Sequence, residues 1–315
     1  VGWVGDQVSE LRRGTAYGVA AYLIWGLFPL YFRLLEPAGS VEIVAHRIVW
    51  SLVFVLLILG VQRNWGWLRE LAADRRSLAI LVTAAILIAG NWCLYIYGVN
   101  SDQVVEASLG YFINPIVIVM LGVLVLGERL RRTQWVAIGL GTVAVVVLAV
   151  DYGRPPWIAL GLAFSFGTYA LLKNRVGERV GAVQSLTVET AVLLLPALAW
   201  LVLLEMRGDG QFGHSGPGHG LLLASTGIAT AVPLILFASA ARRIPLTVIG
   251  LLQYMTPVIQ FLIGVLLYDE PMPASRLAGF ALVWAALSVL TVDTLQNRRR
   301  NQRRAAAEAQ AGAYV

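Results

Sequence analysis

Runs of about twenty apolar residues follow one another from Gly14 to Thr294, separated by turns of only a few residues. As a helix, such a run crosses about 30 Å of hydrocarbon. Backbone polar groups in lipid must find partners within the protein, which restricts spanning segments to helices and closed barrels. Ten runs are readable, at 14–33, 41–61, 77–99, 104–126, 133–151, 155–173, 183–205, 220–240, 244–267 and 275–294. Only 13% of the residues are charged, against about 25% in a soluble domain. The expected fold is therefore all-α, a polytopic membrane protein with ten transmembrane helices. The first run, preceded by Arg12 and Arg13, is too long for the apolar core of a signal peptide and reads as an uncleaved span.

One stretch occurs twice. Glu106–Glu128 reads EASLGYFINPIVIVMLGVLVLGE, and Val248–Glu270 reads VIGLLQYMTPVIQFLIGVLLYDE. At an offset of 142, Pro115 falls on Pro257, Gly122 on Gly264 and Glu128 on Glu270, without a gap. Two halves are thus expected, 14–151 and 155–294, followed by a basic tail at 295–315 whose composition reads as disordered. Five spans per half leave the second half upside down, which makes a five-plus-five inverted repeat. Pro115 and Pro257 are expected to kink their helices near the bilayer midplane, since proline cannot donate to the carbonyl four residues earlier.

Lysine and arginine set the orientation. Nineteen lie in the segments on one side, among them Arg63, Arg69, Arg75, Arg131, Arg242 and the five arginines of the tail; four lie on the other, Arg33, Arg154, Arg207 and Arg276. Both termini are expected in the cytoplasm, in a plasma (inner) membrane. The net charge of +6 is then a topology signal, and nucleic acid is not an expected partner. Membrane lipids are, with the tail arginines near anionic headgroups. A homodimer is left open.

Polar residues inside spans are costly and mark either helix contacts or function. Glu42, His46 and Trp50 share a helix face, with Arg47 beside them; Asn91 and Tyr95 share another, with Trp92 adjacent. Glu106, Gly110 and Asn114 form a third stripe, Glu189 stands between Thr187 and Thr190, and Gln253, Thr256 and Gln260 form a fourth, with Tyr254 adjacent. Expected substrate contacts are Arg47, Asn91, Trp92, Tyr95, Asn114, Gln253 and Tyr254. Expected proton-coupling groups are Glu106, Glu189 and His46, with Glu106 roughly 13 Å from Pro115 along its helix. Simpler readings compete: Arg47 as a structural partner of Glu42, Glu106 or Glu189, the two asparagines as interhelical bridges, and the prolines as plain kinks. Lys173 reads as snorkelling to the interface, and Glu128 and Glu270 as meeting loop arginines or helix caps. His214 and His219, two histidines without further ligands, make a weak metal site. No metal and no cofactor is expected. There is no phosphate-binding Walker loop, no nucleophile elbow and no HExxH.

Several segments together resemble the drug/metabolite transporter superfamily, in its EamA-domain group and within that the RarD type. They are AHRIVWS at 45–51, NW at 91–92, YIYGVNS at 95–101, EASLGYFINP at 106–115, ERLRRTQWVAI at 128–138, SFGTYALLKN at 165–174, VET at 188–190 and GLLQYMTPVIQFLIGVLLYDEP at 250–271. The resemblance implies two EamA repeats and carriage of small molecules. The Gly-rich segment 206–220 is longer than the resemblance leads one to expect.

The chain is thus read as a non-enzymatic secondary transporter for a drug or metabolite, amino-acid-like solutes included, exporting by alternating access with proton coupling or exchange. The cavity is expected between spans two, three, four, seven, eight and nine. Uptake by the same fold is the alternative within the class; a membrane enzyme or a structural subunit is the alternative outside it.

Overall fold

The computed structural model describes residues 2–63, 65–127, 130–176 and 181–312. The described residues are helical, with no strand among them. The helices are α1 (Gly2–Gly26), α2 (Phe28–Arg33), α3 (Ser40–Gln62), α4 (Gly66–Ala73), α5 (Arg75–Asn100), α6 (Val104–Leu126), α7 (Arg132–Tyr152), α8 (Trp157–Val176), α9 (Ala182–Arg207), α10 (Pro217–Ala241), α11 (Leu246–Leu252), α12 (Met255–Leu266) and α13 (Ala274–Gly312). Among the described residues, eight helical stretches are long and apolar enough to cross a membrane.

The two other expected spans differ for local reasons. The run at 14–33 is divided at Leu27 into α1 and α2, where Pro29 takes one of the first positions of the new helix. The run at 155–173 becomes Trp157–Lys173, apolar but shorter. The ninth run is interrupted at Gln253–Tyr254, between α11 and α12. That break lies upstream of Pro257, at the residue whose carbonyl the proline cannot bond. At Pro115, by contrast, α6 stays helical throughout. The tail also departs from its composition: α13 continues to Gly312. Its Ala, Gln, Arg and Glu residues are good helix formers, and extending an existing helix needs no new nucleus.

Caps fix several ends. Asp74 accepts from the Ser77 N–H at 3.1 Å and from its hydroxyl at 2.6 Å, which starts α5. At the end of α9, Gly208 is left-handed at φ 75°, its N–H bonds the Glu205 carbonyl, and Asp209 N–H bonds the Leu204 carbonyl. These two bonds satisfy carbonyls the helix would otherwise leave orphaned.

By packing, the chain divides into two compact units, Val1–Tyr111 with Ile158–Pro271, and Phe112–Trp157 with Met272–Val315. In the first, α3 packs on α9 and α10, α1 packs on α10 and α12, and α5 packs on α9 and α3. Short α4 lies against this unit through Leu71, which meets Leu81 and Val188. The α3–α10 approach depends on a missing side chain. A Cβ at Gly227 would sit 2.3 Å from the backbone carbonyl of Trp50. Gly227→Ala should therefore force the two helices apart, at about 1–3 kcal/mol. A thermal unfolding midpoint lowered by several degrees in detergent is the expected result, and an unchanged midpoint would refute so close an approach.

In the second unit α7 packs along α13. Phe112, Phe280 and Trp284 meet edge to face, with centroids 6.0–6.4 Å apart. Asp151 accepts from Ser275 and, at 2.9 Å, from Arg276 Nε, while Asp293 holds Arg131 and Thr133. Asn114 and Pro115 belong to this unit. Asn114 is buried and its Oδ1 has no partner.

Candidate functional site

Arg47 enters the interior from α3, two turns past the helix start, and is 5% exposed. Its Nε donates to Thr230 Oγ1 on α10 at 2.7 Å, and that hydroxyl donates onward to the Thr226 carbonyl at 2.8 Å. The guanidinium lies 4.0 Å from the ring centre of Trp92 on α5, and 5.6 and 5.8 Å from those of Phe28 and Phe32 on α2. Among the described residues no carboxylate is within ion-pair distance of it. The competing reading of Arg47 as a partner of Glu42, Glu106 or Glu189 therefore fails.

Each of those carboxylates is engaged elsewhere. Glu42 Oε1 accepts from the Gln211 N–H at 2.7 Å, and Glu106 Oε1 from the Ile158 N–H at 3.0 Å, at the start of α8. The first N–H groups of a helix lack internal acceptors, and the Glu106 carboxylate supplies one. Glu270 does the same for α6, accepting from Val104 N–H at 2.6 Å and Val105 N–H at 2.9 Å. Glu270 is thus a cap; Glu128 lies outside the described residues. Glu189 on α9 accepts from Lys173 Nζ at 2.9 Å, from Ser185 Oγ at 2.9 Å and from Tyr169 Oη at 3.4 Å. Lys173 was expected to snorkel; it turns inward to this carboxylate and to Ser185 instead.

Aromatic rings surround Arg47 and continue beyond it. Tyr31, Tyr95 and Tyr111 are close enough to interact with it electrostatically. Tyr31 Oη meets Ser225 Oγ at 2.7 Å and the Leu222 carbonyl at 3.1 Å. Tyr95, 3% exposed, has a buried hydroxyl with no partner. From Tyr95, edge contacts run to Tyr111 at 5.6 Å and on to Phe166 at 6.4 Å, and a tilted contact at 5.9 Å reaches Tyr169, which meets Glu189. The guanidinium and the Glu189–Lys173 cluster are thus the two ends of one line of aromatic side chains.

The other expected site residues are placed differently. Asn91 donates through Nδ2 to the Leu162 carbonyl at 3.1 Å and to Ser165 Oγ at 2.8 Å, bridging α5 to α8. Gln253 is exposed at the break between α11 and α12, with Tyr254 half-buried beside it. Their neighbours in the stripe clamp α12 to α1: Thr256 donates to the Tyr22 carbonyl at 2.9 Å, and Gln260 to the Trp25 carbonyl at 3.1 Å. His46 follows a different direction from Arg47, since adjacent helical residues point about 100° apart. Its ring stacks on Phe212 at 4.9 Å, both nitrogens lack partners, and it lines a cavity of about 310 Å³ with Glu42, Trp50 and Glu205 under the 208–216 segment. Phe28, Tyr31, Phe32, Thr230, Tyr169 and Lys173 complete the site without having been singled out as contacts. The Thr226–Thr230 pair, four residues apart in an apolar run, was the available signal for α10.

The model of the EamA-like transporter family matches residues 12–150 and again 155–292. Protein RarD of Streptomyces exfoliatus is 56% identical over 301 residues, covering 96% of this chain and 95% of that protein. Protein RarD of Escherichia coli (strain K12) is 38% identical, over 94% of this chain and 100% of that one. An uncharacterized transporter of Bacillus subtilis (strain 168), YojE, is 42% identical over 94% and 99%. A solved crystal structure shares the fold, with a TM-score of 0.58 and 20% identity over 89% of this chain and 97% of that one. The buried cation among aromatic rings, in a bundle of membrane-length helices, therefore belongs to a member of the EamA-like transporter family, a RarD-type permease.

Proposed function

We propose that the chain is a secondary transporter that exports a small solute across the inner membrane by alternating access, with Glu189 coupling transport to protons. The observation that carries this reading is Arg47, a buried cation with no carboxylate beside it among the described residues, enclosed by Trp92, Phe28 and Phe32. An ionised group costs roughly 2.5–3.5 kcal/mol on insertion scales, so one held in a span without a counterion points to a role in carriage.

The five-plus-five inverted repeat is part of the proposal. Arg47 lies seven residues into α3 and Glu189 seven residues into α9, each about 10 Å along its helix. They are 142 residues apart, the offset of the repeat. With the two halves inverted, the cation and the carboxylate sit at equal depth from opposite faces, which is the symmetry that alternating access uses. Both side chains are buried in the protein, and the family model's two matches support the repeat.

Glu189 takes the coupling role over Glu106 and His46. Glu106 is taken up by the Ile158 N–H at the start of α8, and His46 lines the cavity beside Glu42, Trp50 and Glu205, stacked on Phe212. Protonation of Glu189 would release Lys173, so one proton changes the contact between α8 and α9.

Export is tested in whole cells. Bacteria producing the chain should accumulate one or a few solutes outside, above the level in cells producing Arg47→Gln; equal external profiles would contradict export. Orientation has its own check. A cysteine at Arg69, introduced with Cys93→Ala, should stay unlabelled by an impermeant reagent in intact cells and react after lysis. Labelling from outside would reverse the topology.

A further inference from the structure

The charge left open at Arg47 specifies what the transporter carries. Resting on the transport reading, we infer that the substrate is a monoanionic carboxylate with an apolar or aromatic body, its carboxylate seated on the Arg47 guanidinium. A guanidinium carries five N–H donors in a planar fork. Thr230 takes the one on Nε, and among the described residues the two terminal nitrogens have no acceptor. The guanidinium carbon lies over the Trp92 ring, 4.0 Å from its centre, and the ring, which has no acceptor oxygen, takes none of the remaining N–H donors. A fork of two terminal N–H groups matches the two oxygens of a carboxylate.

Charge balance selects among anions. Arg47 brings one positive charge, and the side chains it contacts, Thr230, Trp92, Phe28 and Phe32, are uncharged. A carboxylate neutralises it one for one, whereas a phosphate dianion would leave net negative charge in a low-dielectric interior. A cationic solute would meet the guanidinium as a like charge. The surrounding side chains supply the rest of the specificity. The Tyr95 hydroxyl, buried and without a partner, is a second donor for the anion. The rings of Phe28, Phe32, Trp92 and Tyr111 give the body an apolar, stacking environment.

The test is thermal unfolding of the purified full-length protein in lipid nanodiscs with isosteric series. Each series holds a carboxylate, its carboxamide and the matching amine: indole-3-acetate, indole-3-acetamide and tryptamine, and phenylacetate, phenylacetamide and phenethylamine. At least one carboxylate is expected to raise the unfolding midpoint while its amide and amine do not. Arg47→Gln should erase that shift, and Arg47→Lys, which keeps the charge without the fork, should leave a smaller shift than wild type. Comparison within the wild type needs no variant, so a poorly folding Arg47→Gln leaves the test intact. Equal stabilisation by an amide or amine, a shift retained in folded Arg47→Gln, or no shift by either carboxylate would overturn the inference. Vesicles that move neutral or cationic solutes would overturn it too while leaving the transporter reading in place; vesicles that move nothing would remove that reading itself.

Discussion

Arg47→Gln is expected to reduce transport to the level of protein-free vesicles while changing the stability of the fold little. The two effects separate because opposing terms of similar size act on stability. Removing the guanidinium forfeits its contact with Trp92, worth about 2 kcal/mol where desolvated. The bond to Thr230 changes from charge-assisted to neutral, a loss of about 1 kcal/mol. Against this, a charge buried without a counterion is no longer desolvated, which relieves several kcal/mol. Glutamine can still donate to Thr230. A net change within about 2 kcal/mol is expected, so the midpoint of thermal unfolding should stay within several degrees of wild type. A variant that unfolds outright would show that the guanidinium is a structural post, and one that transports normally would show that the cage is incidental.

Glu189→Gln should leave solute exchange running and remove its dependence on a proton gradient. The amide is isosteric with the carboxylate and can still accept from Ser185 and Tyr169, which contact Glu189 now. It cannot take up or release a proton. Lys173 loses its counterion, but its side chain is 28% exposed, so solvent takes part of the charge and the cost stays below the roughly 3–5 kcal/mol of a fully buried broken pair. Wild-type flux driven by an imposed pH difference should fall several-fold in the variant, while exchange without a gradient persists. Undiminished pH-driven flux in Glu189→Gln would exclude this carboxylate as the coupling group.

The sequence made the spans and the chemically costly residues readable, because an apolar run of membrane length and an arginine inside it are local facts. Arg47, Trp92 and Tyr95 were legible for that reason, and all three stand in the aromatic cage. Partner choice was not legible, because it depends on which helix ends meet. Glu106 is spent on the Ile158 N–H of α8 and Glu270 on the first N–H groups of α6, and no periodicity within one span announces an acceptor for another. Phe28, Tyr31 and Phe32 read as ordinary residues of the first span until the interruption at Leu27 sets α2 apart. The two aligned prolines looked equivalent, yet only the second run is interrupted, at Gln253–Tyr254. Proline removes a bond; whether the helix breaks there depends on the packing that surrounds it.

Reconstitution tests the central claim most directly. Vesicles of Escherichia coli lipids, containing the purified chain and loaded with a deproteinised extract of small molecules, would be subjected to a pH difference and the released solutes measured by mass spectrometry. Wild-type vesicles should release one or a few solutes at rates far above those of protein-free vesicles and of vesicles bearing Arg47→Gln, and Glu189→Gln should blunt the response to the gradient. Release from wild-type vesicles that matches the protein-free control for every solute would contradict the account.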